Sequence, residues 1–381
     1  MEFQRICIIG VGLIGGSLAA TAKSVDPAIT IFGIDRDSEA LAHAIAAGYL
    51  DDGVTPCDAR VREWLGAGGL AQGACDLVIL ATPASCADEW FAFLGASGFE
   101  GTVTDVASTK RPVLSAAEKH LAFPAGFVGG HPMAGSEVSG VKGARSDLFK
   151  GAYYVLTPTR ETSPEAYRKL HAFLTRLGAR VISVDAKEHD EAVAIISHVP
   201  HVTASALVNL AKGHAGQGDD MLRLAAGGFK DTTRIAAGSP ELWTGICLDN
   251  REAITEAIEE LRSVLGDFAD KLARQDSEGI MQWLAQAADI RRALPTQWVP
   301  ASVKLTEIII PMADRPGVIF EVTSAVWRAG CNIEAIEIDH LSEDSALLVL
   351  VITDEGDLER LIADLSAEGY APTARPIESG K

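Results

Sequence analysis

The stretch Ile6-Cys7-Ile8-Ile9-Gly10-Val11-Gly12-Leu13-Ile14-Gly15 decides the fold. Ile6, Ile8 and Ile9 form the apolar run of a buried parallel strand, and Gly10, Gly12 and Gly15 follow at GxGxxG spacing. The first glycine permits a tight turn, the second lets backbone approach a pyrophosphate, and the third lets helix and strand pack closely. The helix that begins with Leu13 and Ile14 aims its N-terminal amides and its dipole at the phosphates. A second strand, ITIFGID, ends on Asp35, twenty residues past Gly15, where an acid receives the adenosine ribose hydroxyls. The spacing predicts a dinucleotide site with NAD as cofactor, because Asp35 would repel the 2′-phosphate of NADP. Arg36 beside it tempers that preference. Thr82 and Pro83, just past the strand at 76–81, complete the expected cofactor contacts.

At 381 residues the chain exceeds one ordinary core, so two or three domains are expected. A net charge of −19 argues against nucleic acid or an anionic membrane as partner. An anionic small molecule remains compatible with it, since a few local cations outweigh a distant field. The six cysteines are scattered without CxxC or metal spacing and read as reduced thiols. The start MEFQRICIIG runs straight into the first strand without a leader, and no apolar stretch reads as long enough to span a bilayer. A cytoplasmic protein is expected.

Outward from the glycine turn, short apolar strands alternate with helical patterns as in a doubly wound α/β sheet, at 5–10, 29–34, 76–81, 102–105, 126–130, 152–157 and 180–184. This Rossmann-like domain is expected over residues 1–185. From 186 to 300 long alanine- and leucine-rich helical segments predict an all-α domain. One helix near 249–274 carries an apolar stripe from Ala253 and Ile254 to Val264 and Leu265, which suits either intersubunit packing or a bundle core. Pro295 and Pro300 mark a linker. Residues 304–381 then read βαββαβ, the ferredoxin-like order.

Three further clusters carry candidate chemistry. GGHPMAGSE (129–137) follows an apolar strand, which places His131 at the carboxyl end of the sheet, where ligands bind. An imidazole there can take a hydroxyl proton while hydride leaves the same carbon, or simply hydrogen-bond backbone in a turn. TDVASTK (104–110) puts Ser108 at another strand end, as a cap for the following helix or a substrate hydrogen-bonder. ISHVPH (196–201) and GFKDTTR (228–234) bring His198, His201 and Arg234. Pro200 should bend the helix between the two histidines. An HxxH pair without a following glutamate is a poor metal signature, and no metal is expected. Arg234 fits either a salt bridge or a bidentate carboxylate clamp. Ser239 and Pro240 read as N-cap and first position of the next helix.

With GVGLIGGSLA, DVASTK, GGHPMAGSE, SHVPH and GFKDTTRI followed by Trp243, the chain resembles the prephenate/arogenate dehydrogenases (TyrA type) of tyrosine biosynthesis over residues 1 to about 300. Its tail, PMADRPGVIFEVTSAVWRAGCNI, looks like an ACT domain, a small regulatory module. The resemblance implies NAD-dependent oxidative decarboxylation of prephenate. It casts His131 as the base and Ser108 as the group that orients it. By the same resemblance His201 and Arg234 engage carboxylates, and Glu137, Lys230, Asp231 and Trp243 shape the pocket. In the ACT resemblance Asp314, Arg315 and Gly317 form the loop that meets a small ligand such as L-tyrosine, faced by Asn332 of a paired subunit in a homodimer. An arogenate-preferring enzyme is the main alternative, with Glu137 as a partner for that substrate's ammonium. A β-hydroxyacid dehydrogenase and a non-catalytic amino-acid sensor are more distant ones.

Overall fold

The computed structural model describes residues 2–66, 73–135, 138, 140–214, 224–293, 305–313, 315, 317–342, 345–353 and 356–377. The chain divides into two compact units, Met1–Asp270 and Lys271–Lys381.

The first unit opens with β1 (Arg5–Ile9), α1 (Leu13–Val25), β2 (Thr30–Ile34), α2 (Ser38–Ala46), β3 (Asp52–Val54), α3 (Arg60–Leu65), β4 (Leu77–Leu80) and α4 (Ala87–Ala96). It continues through β5 (Thr102–Asp105), α5 (Arg111–His120), β6 (Phe127–Pro132), β7 (Tyr153–Thr157), α6 (Pro164–Arg176) and β8 (Arg180–Ser183). The eight strands form one sheet in the order β3-β2-β1-β4-β5-β6-β7-β8. Side chains alternate across β1: Ile6 and Ile8 enter one core cluster, Cys7 and Ile9 the other. Both faces of the sheet are thus covered, which is why this strand reads as a continuous apolar run.

Three local expectations are corrected here. The short edge strand β3 was not foreseen, because Asp-Gly-Val carries no strand-like run. The sheet is not wholly parallel, since β6 and β7 pair antiparallel, with His131 opposite Val155. That pairing extends β6 through Pro132, so His131 sits inside a strand rather than in the turn after it.

Beyond β8 the first unit is helical, with α7 (Ala186–Val193), a π-helical turn (Ala194–His198) and α8 (Val199–His214). Then come α9 (Gly227–Thr233), a 3₁₀ turn (Arg234–Ala237) and α10 (Pro240–Asp249). As read from sequence, Ser239 caps α10 by accepting from the Leu242 amide, and Pro240 opens it. In α11 (Arg251–Ala273), Ala253, Ile254 and Ala257 are buried with Ala194 and Val199, whereas Val264 and Leu265 are exposed on this chain. By length and composition the run Ala186–Gly213 is long and apolar enough to cross a membrane, contrary to the sequence expectation. It nevertheless carries Asp190 and His198 in buried hydrogen bonds, as a core helix does.

In the second unit, α12 (Ser277–Ala293) precedes β9 (Leu305–Ala313), α13 (Val318–Arg328), β10 (Ile333–Ser342), β11 (Ser345–Thr353), α14 (Leu358–Ala367) and β12 (Thr373–Ile377). The strands form an antiparallel sheet in the order β10-β11-β9-β12. Ile308, Ile310, Leu348 and Leu350 pack beneath Val322, Val326, Leu361 and Leu365 of the two helices. This is the βαββαβ arrangement expected from the sequence.

Candidate active site

The glycine turn shapes a cleft of about 620 Å³ at the carboxyl ends of β1, β2 and β4, lined by Gly10, Gly12, Asp35, Arg36, Thr82 and Pro83 among others. Gly10 adopts φ +97°, and a Cβ there would lie 2.6 Å from the Ala81 carbonyl group. A Cβ on Gly12, by contrast, would enter open space. Gly12 is the N-cap of α1 and brings no side-chain cap, so the first amides of that helix stay available to an anion. Leu13 and Ile14 pack their side chains against the core and are not among the residues that line the cleft. Asp35 accepts from the amides of Val11 (2.6 Å) and Asp37 (2.9 Å), which ties the acid to the glycine loop. An open phosphate cradle beside a fixed carboxylate fits a dinucleotide.

A second cleft, of about 400 Å³, gathers Ser108, His131, Met133, His198 and Trp243. Behind it lies a network of buried polar groups. Nδ1 of His131 is 2.8 Å from Nε2 of His189, whose Nδ1 is 2.9 Å from Oδ1 of Asp190. Asp190 also accepts from the amides of Lys110 (2.7 Å) and Arg111 (2.9 Å). Ser108 is therefore not a helix cap. α5 begins three residues later, and Asp190, reaching in from α7, takes the capping role. Lys110 is fully buried, ion-paired with Asp105, and donates to the carbonyl of Gly130 at 2.6 Å. Asp105 in turn accepts from the Gly130 amide at 3.0 Å, so one ion pair clamps β5 to the strand carrying His131.

Electrostatics follow from this burial. Burial alone would raise the Asp190 carboxyl, but hydrogen bonds from His189 and the Arg111 and Lys110 amides hold it below its usual range. As a carboxylate it only accepts, so the His189 Nδ1 facing it carries a proton, and a singly protonated His189 ring offers a lone pair at Nε2. His131 then donates from Nδ1 and keeps Nε2 as an acceptor. Burial, followed by the nearby Lys110 charge, pushes His131 well below the usual imidazole value, so it is the neutral base form that the site holds.

Of the other expected residues, His201 stacks on Trp243 with ring centroids 3.6 Å apart. Lys230 and Asp231 on α9 and Arg234 in the 3₁₀ turn after it are exposed and do not line this cleft within the chain. Glu137 lies outside the described residues. In the second unit Arg315 and Gly317 line a cavity of about 550 Å³, whereas Asn332 does not, and Asp314 lies outside the described residues. The sequence reading missed His189, Asp190 and Asn250. Their one available signal was a His-Asp pair at the first helix after the sheet.

Family models match in chain order. They are the nucleotide-binding domain of prephenate dehydrogenase over residues 18–183, its dimerization domain over 185–286, and an ACT domain over 306–369. The prephenate dehydrogenase of Bacillus subtilis is 33% identical over 360 residues, 94% of each chain. The crystal structure of the A. aeolicus enzyme in complex with hydroxyphenyl propionate and NAD+ superposes with a TM-score of 0.71 at 30% identity, covering 77% of this chain and 98% of that one. Synechocystis arogenate dehydrogenase gives 0.64 at 31% identity, covering 76% and 99%. The chain thus belongs to the prephenate dehydrogenase family, as an NAD-dependent dehydrogenase with an ACT domain at its carboxyl end.

Proposed function

We propose that the cleft beside His131 oxidises prephenate, with His131 as general base and Ser108 as the hydroxyl that orients it and the substrate. The observation that carries this reading is the chain from His131 through His189 to Asp190, which leaves Nε2 of a neutral imidazole as acceptor in a cleft that also holds Ser108. NAD+ bound at the glycine loop supplies the hydride acceptor for C4 of the substrate. Nε2 of His131 takes the C4 hydroxyl proton as that hydride leaves. The resulting dienone is electron-poor, its ring carboxylate departs as CO2, and aromatisation drives the step. Asp35 holds the adenosine ribose and disfavours a 2′-phosphate. His201 and Arg234 bind the substrate carboxylates, while Glu137, Lys230, Asp231 and Trp243 shape the pocket, those on exposed α9 acting as the assembly closes around it.

In this reading residues 1–185 bind the dinucleotide, 186–300 bind substrate and form a homodimer, and 304–381 respond to an amino acid such as L-tyrosine through Asp314, Arg315, Gly317 and the partner copy's Asn332. The reducing cytoplasm is the compartment that suits its six unpaired thiols. The decisive experiment records absorbance at 340 nm with NAD+ and either prephenate or arogenate. Reduction of NAD+ that requires prephenate and is at least tenfold less efficient with arogenate is the expected result. The opposite preference would reassign the substrate, and no reduction with either would remove the reading.

A further inference from the structure

Asn250, which caps the end of α10, is fully buried. Its Nδ2 donates to the main-chain carbonyl of Asp190 at 2.7 Å and lies 3.2 Å from Nδ1 of His198. A carbonyl only accepts, so the group facing it is the NH2 and not the amide oxygen. The second hydrogen of that NH2 is directed to His198, whose Nδ1 must therefore offer a lone pair. A neutral imidazole with a lone pair on Nδ1 carries its proton on Nε2. His198 is neutral over the working range, because burial pushes it down to about 4. Asp190 gives His131 the opposite arrangement by way of His189, with the proton on Nδ1 and the lone pair on Nε2. Two histidines lining one cleft thus hold opposite tautomers, and one residue anchors both.

We infer that His198 donates from Nε2–H to the same C4 oxygen whose proton His131 accepts, and that Asn250 is the positioning residue holding His198 in that tautomer. The inference rests on the prephenate reading above. The cleft's lining suits this end of the substrate: among the described residues it has two histidines and two serines, no Lys, Arg, Asp or Glu, and apolar walls from Met133, Leu242 and Ile246. Such a surface fits an uncharged carbinol better than a carboxylate. A neutral donor also fits the chemistry, since a cation at this oxygen would hold electron density away from C4 as hydride departs. The proton of the O–H bond goes to His131 Nε2, and its electron pair becomes the π bond of the new carbonyl. The C4–H pair leaves as hydride to the nicotinamide, and the His198 N–H bond stays intact.

The test begins without substrate. In the full chain labelled with ¹⁵N-histidine, two-bond ¹H–¹⁵N correlations at neutral pH should show His198 protonated on Nε2 and His131 on Nδ1, with His198→Gln assigning the His198 signals. A His198 protonated on Nδ1 overturns the inference. Kinetics then ask whether the donor matters. His198→Gln, whose amide replaces the N–H, should retain kcat within about tenfold, whereas His198→Leu should lose about 10- to 100-fold, the cost of an unmade hydrogen bond. Asn250→Asp, whose carboxylate would draw the proton to Nδ1, should resemble His198→Leu in kcat and show the reversed tautomer. Equal kcat in His198→Leu and wild type also overturns the inference, and these readouts decide it even where Asn250→Asp does not fold. Failure of the prephenate reading is separable, because it appears as a wild-type enzyme inactive with prephenate whatever tautomers the spectrum shows.

Discussion

Lys110–Asp105 in the first unit and Arg315–Glu321 in the second are both cation–carboxylate pairs beside a cleft, in opposite surroundings. The first pair is 0% and 3% exposed, and the second is 53% and 40% exposed. The buried pair joins two neighbouring strands and has no water to replace a lost partner, so each member depends on the other. The exposed pair is bidentate, at 3.0 and 2.7 Å, yet water can stand in for either side. On the proposed reading, a reaction centre needs fixed geometry, whereas a loop that responds to an amino acid needs contacts that can be exchanged. The two units place the same chemistry accordingly.

The sharpest way to test the fixed site is to remove its base. His131→Asn should lower kcat by about 10²–10⁴-fold, the range of general acid–base catalysis, with KM for prephenate changed only a few-fold. Steady-state assay at 340 nm measures both. A kcat within threefold of wild type would move the base elsewhere and leave the buried network without its proposed purpose.

Breaking the two ion pairs tests the comparison directly. Lys110→Met strands Asp105 in the interior and should cost about 3–5 kcal/mol of stability, read from urea unfolding. Arg315→Ala should shift the urea midpoint only slightly, since Glu321 is solvated either way. Equal shifts in the two variants would show that burial is not what separates the pairs.

A smaller effect separates the units by pH. His131 and His198 have folded-state values below that of a free imidazole, near 6.5, and His198 reaches about 4. Below about pH 6.5 the unfolded chain binds protons that these buried rings refuse, so stability falls as pH drops from 6.5 towards 4. Glu321 behaves differently: hydrogen bonds from Arg315 and then Tyr370 lower it, so its contribution is kept above the ordinary carboxylate value and lost only at lower pH. Calorimetry should show the melting temperature falling by a few degrees between pH 7 and 5, with a smaller fall in His198→Gln. An unchanged melting temperature over that interval would contradict the buried neutral histidines.

The smallest expected effect is on the basal reaction of Arg315→Ala, which should keep kcat and KM while its inhibition by L-tyrosine weakens. Allostery requires a ligand with different affinity for two states, so the measurement is inhibition by tyrosine in the wild type and the variant. Identical, prephenate-competitive inhibition in both would place tyrosine in the catalytic cleft instead.

The parts of this design legible in the sequence were those with local signatures. The glycine spacing and Asp35 announced the nucleotide cleft, because turn and helix start depend on neighbouring residues. The βαββαβ order was readable from strand and helix periodicities alone. His131 and Ser108 stood out through their motifs and strand-end positions. Asp190 could not be read this way. It caps a helix that begins 79 residues earlier in the chain, a partnership that exists only after folding. For the same reason Ser108 looked like the cap, being a capping residue type shortly before the helix. Lys110 was quoted within its motif, but its complete burial depends on β5, β6 and α7 meeting around it.

Asp190 also has a consequence for motion. Because it caps α5 while orienting His189, the amides of Lys110 and Arg111 are shielded by the residue that sets the proton inventory of the cleft. Any fluctuation that lifts α7 away from the sheet must release these amides to solvent and unhook the base in one event. Local opening here would therefore be catalytically silent, since an opened molecule has no poised His131. In hydrogen exchange, Lys110 and Arg111 become natural reporters of the fraction of molecules able to turn over.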